Sequence, residues 1–568
     1  MSQPWVALLG PEVEENLSLR YLAAVLAKAG VRTEIFAFNS SADFSRVVRG
    51  VTDATEPPLF VGLSLAFQWR AADVLSVAMA LREGGYQGHI TGGGHFATFA
   101  AEELMRDFPE LDSLCRFEAD VTIVELAKAL MAGDRAERNS AGKDRDRAER
   151  DSVDAARGEG LSAIAGLAIR EGGNVRFTAP RPLPELPGIP WPDRRGEPAR
   201  CFGHAIMPLV GSRGCYGSCS FCSIAAWHDK GSPGKRFRLR TVEDVADEMA
   251  WQQRERGIEI FVFQDDNFFL PKSSASLARI HGLADALAAR GVTKFATVVK
   301  ARVDDVRPEV FGALVERLHC IRAYVGIESH ASAGLQTLAR RTAPSDNDNA
   351  LEVVRRLGLY ICFNLLPFDP DATLETFEEN IDFLERVSDY PFCIGRVELY
   401  AGTPLLARMQ REGRCRGDYL QWDYSLADPR LEKLFRWFFT ALRARNYGDE
   451  SVIVQLWLLR FDIEACRFFH PERYRAEWLS RGIEITRAVS SDTVLSLRQL
   501  VELARSGDPR GAERVLGEIA LRARAVDARA HKAARALADE MSRTVGHKAS
   551  LCEVRQVLDA ASPAPAFV

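Results

Sequence analysis

The sequence predicts an α/β protein with a doubly wound parallel sheet at its start, a second strand–helix repeat through its middle and a mainly helical region at its end. Three observations lead there. Residues 1–132 alternate short apolar strands with segments of helical period, and the alternation resumes after about residue 200. Beyond 425, apolar residues recur only at helical spacing. At 568 residues and 47% hydrophobic content, the chain can bury two or three cores and exceeds one compact domain. The expected division is 1–132, then 133–200 as a charged insert and proline-rich connector, then 201–425 and 426–568.

In the first domain, Trp5 to Leu9 reads as a strand, and Leu19, Leu22, Val25, Leu26 and Ala29 recur at helical spacing until Gly30. Arg32 to Phe38 alternates as a second strand. Leu59 to Leu65 is a continuous apolar run of the kind buried on both faces of a parallel sheet; Ala71 to Arg82 is helical, and His89 to Thr91 leads into Gly92-Gly-Gly94. This is a Rossmann-like repeat. Ligands of such sheets sit beyond the carboxyl ends of the strands, which singles out loops 10–16, 64–70, 92–98 and 116–120.

The tract from Gly133 to Gly160 carries Asp134-Arg-Ala-Glu-Arg138 and Asp146-Arg-Ala-Glu-Arg150 without aromatics, so it reads as a mobile insert. Pro180 to Pro198 reads as an extended connector. After it, Thr241 with Asp244 forms a capping pair for a helix that turns Val242, Val245 and Met249 inward. A strand ahead of Gly211 is followed by others at Ile258 to Phe263, Lys294 to Val299, Ile321 to Ile327, Leu359 to Leu366 and Ile394 to Tyr400. That makes six parallel strands. Further on, Leu497, Leu500, Val501 and Ala504 form a helical stripe that Gly507-Asp-Pro509 interrupts, and Val515, Leu516, Ile519 and Ala520 form another. Phe435-Arg-Trp-Phe-Phe439 and Leu456-Trp-Leu-Leu-Arg460 suit either helix packing or a cap over the mouth of the middle domain.

The most specific motif is Gly211-Ser-Arg-Gly-Cys-Tyr-Gly-Ser-Cys-Ser-Phe-Cys-Ser223, a C-x3-C-x2-C run directly after an apolar strand. Cys215, Cys219 and Cys222 can hold three irons of a 4Fe-4S cube and leave the fourth open. The motif resembles the radical S-adenosylmethionine (SAM) superfamily. There the open iron chelates the amino and carboxylate groups of SAM, and the reduced cluster cleaves its C–S bond to release a 5′-deoxyadenosyl radical. The alternative is a structural zinc site, for which His228 follows at an unusual spacing. The resemblance implies a partial (β/α)6 barrel, with reactive groups at the C-terminal ends of its strands. It extends to the F-x-D-D-N-F-F stretch ending at Phe269, to Gly326-Ile-Glu-Ser329 and to Glu398-Leu-Tyr-Ala-Gly-Thr-Pro-Leu405. It implies that Asp265 and Asp266 hold the SAM ammonium, Glu328 accepts from ribose hydroxyls, Arg302 pairs with the SAM carboxylate, and Phe221 packs beside SAM or shields the cluster.

Gly92-Gly-Gly-His-Phe-Ala-Thr98 and Arg116-Phe-Glu-Ala-Asp-Val-Thr122 resemble the G-G-x-H-A-T and G-E-x-E-x-T stretches of cobalamin-binding domains fused to radical SAM enzymes. Ser64, Gly93, Gly94, His95 and Glu118 are the cobalamin contacts this implies. A nucleotide-binding or purely structural Rossmann-like domain is the alternative. Cobalamin mutases carry D-x-H-x-x-G after the first strand, with the histidine as lower axial ligand of cobalt. Here Gly10-Pro-Glu-Val-Glu-Glu-Asn16 holds no histidine, so cobalt without that ligand is expected. Gln68, Trp69 and Arg70 either approach the lower corrin face or form a solvated loop.

Over residues 1 to about 425 the chain resembles the subgroup of the anaerobic magnesium-protoporphyrin ester cyclase and the cobalamin-dependent methyltransferases. The implied activity is methylation of an unactivated carbon of a small molecule or peptide, through a 5′-deoxyadenosyl radical and methylcobalamin, with electrons from an external donor such as flavodoxin or ferredoxin. A cobalamin-dependent cyclase or rearrangement enzyme is the alternative, and a cobalamin- or redox-sensing binding protein is a more distant one. RNA methylthiotransferases carry extra cluster cysteines near their start, where this chain has only Cys115. The balance of 73 Lys plus Arg against 78 Asp plus Glu gives no global field for nucleic acid or membrane. Lys235-Arg-Phe-Arg-Leu-Arg240, the one basic-aromatic cluster, suits an ion-pair or phosphate anchor. No stretch is long enough to span a bilayer, no basic leader opens the sequence, and most of the 11 cysteines are scattered, so a reducing, cytoplasmic location is expected.

Overall fold

A computed structural model describes residues 3–12, 15–140, 160–231, 236–448, 450–507 and 509–547. The first sheet contains β1 (Trp5–Gly10), β2 (Arg32–Ala37), β3 (Phe60–Ser64), β4 (His89–Gly93) and β5 (Ser113–Cys115), all parallel in the order β2-β1-β3-β4-β5. Helices cover both faces. Leu19, Ala23 and Leu26 of helix Leu17–Lys28 share one core with Leu126 of helix Thr122–Ser140; Val74 and Leu75 of helix Ala71–Glu83 belong to the core on the other face. The chain leaves β1 and β3 toward opposite sides, so a crevice opens at their carboxyl ends.

Two strands that the sequence did not foresee extend this sheet. β6 (Leu167–Glu171) pairs antiparallel with β5, and β7 (Asn174–Phe177) pairs antiparallel with β6. Gly172 and Gly173, both at positive φ, close the hairpin between them, and Leu167, Ala168 and Ile169 are buried in the sheet. The segment between the two predicted domains therefore belongs in part to the first sheet. Residues 133–140 of the tract read as mobile continue helix Thr122–Ser140, in keeping with the helix propensity of Ala, Glu and Arg, and its remainder at 141–159 lies outside the described residues.

The second sheet contains β8 (Ala199–Cys201), β9 (His204–Leu209), β12 (Ile258–Phe263), β13 (Ala296–Arg302), β14 (Cys320–Gly326), β15 (Tyr360–Phe368) and β16 (Phe392–Arg396). Their order is β16-β15-β14-β13-β12-β9-β8. The six from β9 to β16 are parallel, β8 adds an antiparallel edge, and the ends of the sheet do not pair, which makes the barrel partial. A short hairpin of β10 (Ser212–Gly214) and β11 (Phe237–Leu239) stands beyond β9. The Thr241 cap forms as predicted: Asp244 N donates to Thr241 Oγ1 at 3.1 Å.

The last barrel strand ends at Arg396 and not at Tyr400. The following loop turns to the first domain, where Ala401 N donates to Gln68 Oε1 at 3.0 Å and Gln68 Nε2 donates to Leu399 O at 3.5 Å. Helices Pro429–Asn446, Val452–Phe469, Ala476–Ser506 and Pro509–Val545 pack on one another, with the break at Gly507 that the sequence predicts. Helix Val452–Phe469 lies against β14 and β15, and Tyr360 Oη donates to Trp457 O at 3.2 Å. Its Leu456 to Leu459 run thus packs at the start of β15, whereas Phe435 and Phe438 of the preceding helix lie 5.0 and 5.6 Å from Phe368, the last residue of that strand. Among the described residues, no helix is long and apolar enough to cross a membrane.

Candidate functional site

The cysteine loop grows from the end of β9 and is fixed by the buried Asp265. Gly211 N donates to Asp265 Oδ2 at 2.9 Å, Ser212 Oγ donates to Oδ1, and Arg279 lies 3.7 Å away. Gly214, at φ +95°, brings the hairpin so close that a Cβ would meet Arg236 O at 1.9 Å. The loop is tied across the barrel mouth: Ser220 N donates to Leu338 O at 2.9 Å, and Leu405 N donates to Ser220 O at 2.8 Å.

Two guanidinium groups converge on the middle cysteine. Arg340 Nη1 donates to Cys219 Sγ at 3.3 Å and Arg302 Nη1 at 3.6 Å, while Gly217 N donates to Cys215 Sγ at 3.3 Å. Arg340 is flanked by Ala339 and Arg341, both at positive φ, so backbone strain accompanies its placement. Sequence reasoning missed Arg340, which no local motif marks. Burial pushes the Cys215 thiol up to about 11 and Cys222 up to about 12, so these thiols are protonated when bare and release protons on binding metal. Among the described residues, no three His, Cys, Asp or Glu side chains converge to hold a single metal ion. A four-iron cube takes each thiolate at a different iron, and three cysteines spread over one loop fit that demand.

The acidic residues around the loop differ in availability. Asp265 is fully buried and committed to the loop, whereas Asp266 accepts one bond, from Gly214 N at 2.9 Å, and presents its side chain at 27% exposure. Burial raises the carboxyl pKa of Asp265, Asp266 and Glu328. Glu328 follows β14 at φ 63°, opposite Arg340 and Arg302. Arg302 is held by Asp304 at 2.9 Å and stacks over Tyr216, whose hydroxyl donates to Asp305 at 2.5 Å. Phe221 packs against the main barrel core.

Between the domains lies a cavity of about 280 Å³, at the crevice where β1 and β3 diverge. Ser64, Gly93, Gly94 and His95 line it from the first domain; Ser212, Trp227, His228 and Asp266 line it from the barrel. Gly94, at φ +117°, runs so close to the β3 loop that a Cβ would sit 2.8 Å from Ala66 Cα. Only glycine permits this flat approach. Burial pushes the His95 imidazole down to about 4, and its ring lies 4.3 Å from that of Trp227. Glu118 also lines the cavity, with its carboxylate taken up by Arg213 Nη1 at 2.6 Å and by Arg238. Asp120 holds the same Arg213 at 3.0 Å, so this acidic pair fastens one domain to the other. Gln68 is buried against the barrel loop and Arg70 Nη2 donates to Phe38 O at 2.9 Å, which leaves Trp69 as the exposed member of that trio. The glycine edge and apolar crevice fit a flat, amide-bearing ring system.

Comparison with known proteins agrees with this geometry. The B12 binding domain family matches residues 10–127, and the radical SAM superfamily matches residues 209–384. The chain is 26% identical over 421 residues to an uncharacterized methyltransferase of Pyrococcus horikoshii, covering 73% of this chain and 79% of that protein. It is 24% identical over 339 residues to the anaerobic magnesium-protoporphyrin IX monomethyl ester cyclase of Cereibacter sphaeroides, covering 58% of this chain and 47% of that one. Among solved structures, the cobalamin-dependent SAM radical enzyme OxsB, with aqua-cobalamin and SAM bound, shares the fold at a TM-score of 0.63 and 16% identity, over 98% of this chain and 84% of its own. The chain is therefore an enzyme that carries a B12-binding domain ahead of a radical SAM domain, with a 4Fe-4S cluster, SAM and cobalamin as its cofactors.

Proposed function

We propose that this enzyme methylates an unactivated carbon of a small molecule or peptide. The observation that carries the reading is one cavity lined both by the glycine edge of the B12-binding domain and by Asp266 and His228 of the barrel, which supports a shared site for the two halves of the chemistry. When bound, the cluster and SAM supply a hydrogen-abstracting radical and the corrin supplies a transferable methyl group. In this reading Cys215, Cys219 and Cys222 ligate the cluster, Asp266 receives the SAM ammonium, and Glu328 receives the ribose hydroxyls. Asp265 and Arg302 are positioning residues: the first sets the loop backbone, the second steadies Cys219. Ser64, Gly93, Gly94 and His95 form the corrin bed, and Glu118 holds the bed against the barrel. The similarity to a methyltransferase over most of both chains supports methyl transfer.

The likeness to a cyclase supports the second reading, in which cobalt assists without giving up methyl. We further assign the protein to the cytoplasm, with an external low-potential electron donor. Turnover with methyl-deuterated SAM separates the two reactions. Methyl transfer yields a labelled product, with 5′-deoxyadenosine and S-adenosylhomocysteine in about equal amounts. With the true substrate, deoxyadenosine formed without label transfer contradicts methylation and supports the cyclase reading.

A further inference from the structure

Helix Ser223–Gly231 runs from the last cysteine of the loop into the seam between the domains. Trp227 fills an aromatic slot of the first domain, 5.2 Å from the Phe117 ring and 6.4 Å from the Phe99 ring. The next residue, His228, lines the cavity and is 3% exposed. Its Nδ1 is buried without a hydrogen-bond partner, and Nε2 lies 3.9 Å from Asp266 Oδ2, beyond hydrogen-bonding distance. A neutral imidazole has one donor and one acceptor nitrogen, and buried polar groups are normally paired. Among the described residues, neither nitrogen of this buried, cavity-lining ring finds a hydrogen-bond partner.

We propose that His228 Nε2–H donates a hydrogen bond to a carboxamide oxygen of the ligand in the interdomain cavity, the amide side chains of the corrin ring being the source of that oxygen. The assignment rests on the reading of the cavity as the cobalamin site. With Nδ1 sealed away as a bare acceptor, the proton belongs on Nε2, the nitrogen nearer the cavity-lining Asp266. Burial first, then Arg238, His95 and Arg213, push the imidazole down to about 3. His228 is therefore an uncharged donor, matched to a neutral amide rather than to an anion. The SAM carboxylate is the competing acceptor, and the test separates the two.

The full-length protein with its cluster is titrated with hydroxocobalamin, with cobinamide, which lacks the nucleotide tail but keeps the ring amides, and with SAM. His228→Leu weakens binding of both corrinoids about tenfold and leaves SAM affinity and iron content unchanged. His228→Gln, whose amide places a donor near the Nε2 position, binds both within about threefold of the unsubstituted protein. If His228→Leu loses its cluster, His228→Gln against His228→Asn decides, with the Asn variant about tenfold weaker. Unchanged corrinoid binding overturns the proposal, as does loss of SAM affinity alone, loss for cobalamin but not cobinamide, or a Gln variant as weak as the Asn or Leu variant. Failure of the unsubstituted protein to bind either corrinoid overturns the cobalamin reading itself together with this one.

Discussion

Cys219 shows how much of the site is set by single side chains distant in sequence. Hydrogen bonds to a cluster sulfur stabilise the reduced, more negative state, so with Cys219 as the proposed cluster ligand the donors Arg340 and Arg302 would raise the cluster's potential. Arg340→Met is expected to retain the cluster, shift its midpoint potential to a more negative value and lower activity about 10–100-fold. Potentiometric titration followed by electron paramagnetic resonance measures this, and an unchanged midpoint denies Arg340 the role. The loop itself was legible because the C-x3-C-x2-C run follows an apolar strand, and the structure puts it directly after β9. Arg340 was not, because its contact joins residues that are far apart in the chain and depends on the strained turn at Ala339 and Arg341. Glu118 shows the same limit: its motif marks its place at the cavity, yet its partners Arg213 and Arg238 come from another domain.

At the scale of elements, the loop after β1 explains an absent ligand. Asn16 Oδ1 accepts from Leu19 N at 3.2 Å to cap the following helix, Glu12 pairs with Arg20 at 2.7 Å, and Glu15 pairs with the buried Arg194. Glu12 and Glu15 are thus committed to the fold, and the sequence of the loop offers no histidine to cobalt. Bound cob(II)alamin is expected to show no hyperfine splitting from a lower axial nitrogen in its paramagnetic resonance spectrum, whereas clear nitrogen splitting would contradict this. Most strands were legible from apolar runs, and Ile258–Phe263 falls where the pattern puts it. The β6–β7 hairpin was not, although its signal, Gly172-Gly173 between two alternating segments, is present in the chain. The charged tract before it drew the reading toward a linker. The overlong final strand has a different cause: Leu399 looks like a strand residue, but its carbonyl accepts from Gln68 of the other domain.

Across the whole molecule, the two domains are fastened by groups that neither sequence segment reveals alone. Arg194 bridges Glu15 of the first domain and Glu248 of the barrel at 3.0 Å, Arg213 bridges to Glu118 and Asp120, and Trp227 inserts among His95, Phe99 and Phe117. Buried ion pairs add little net stability, but leaving one partner unpaired is costly, so they favour a single docking arrangement. The motifs' resemblance to known families implied both domains and their cofactors; the docking of one domain on the other required the three-dimensional contacts.

The start of the cysteine loop and the glycine edge of the B12-binding domain open on one cavity, so a cluster and a cobalamin bound there are two paramagnets measurable against each other. In protein loaded with cobalamin and reduced so that cob(II)alamin and the one-electron-reduced cluster coexist, the cob(II)alamin resonance is predicted to broaden and relax faster than in the Cys215→Ala, Cys219→Ala, Cys222→Ala protein, which holds no cluster. Identical line shape and relaxation in the two proteins would place cobalt away from the cluster loop and contradict the account.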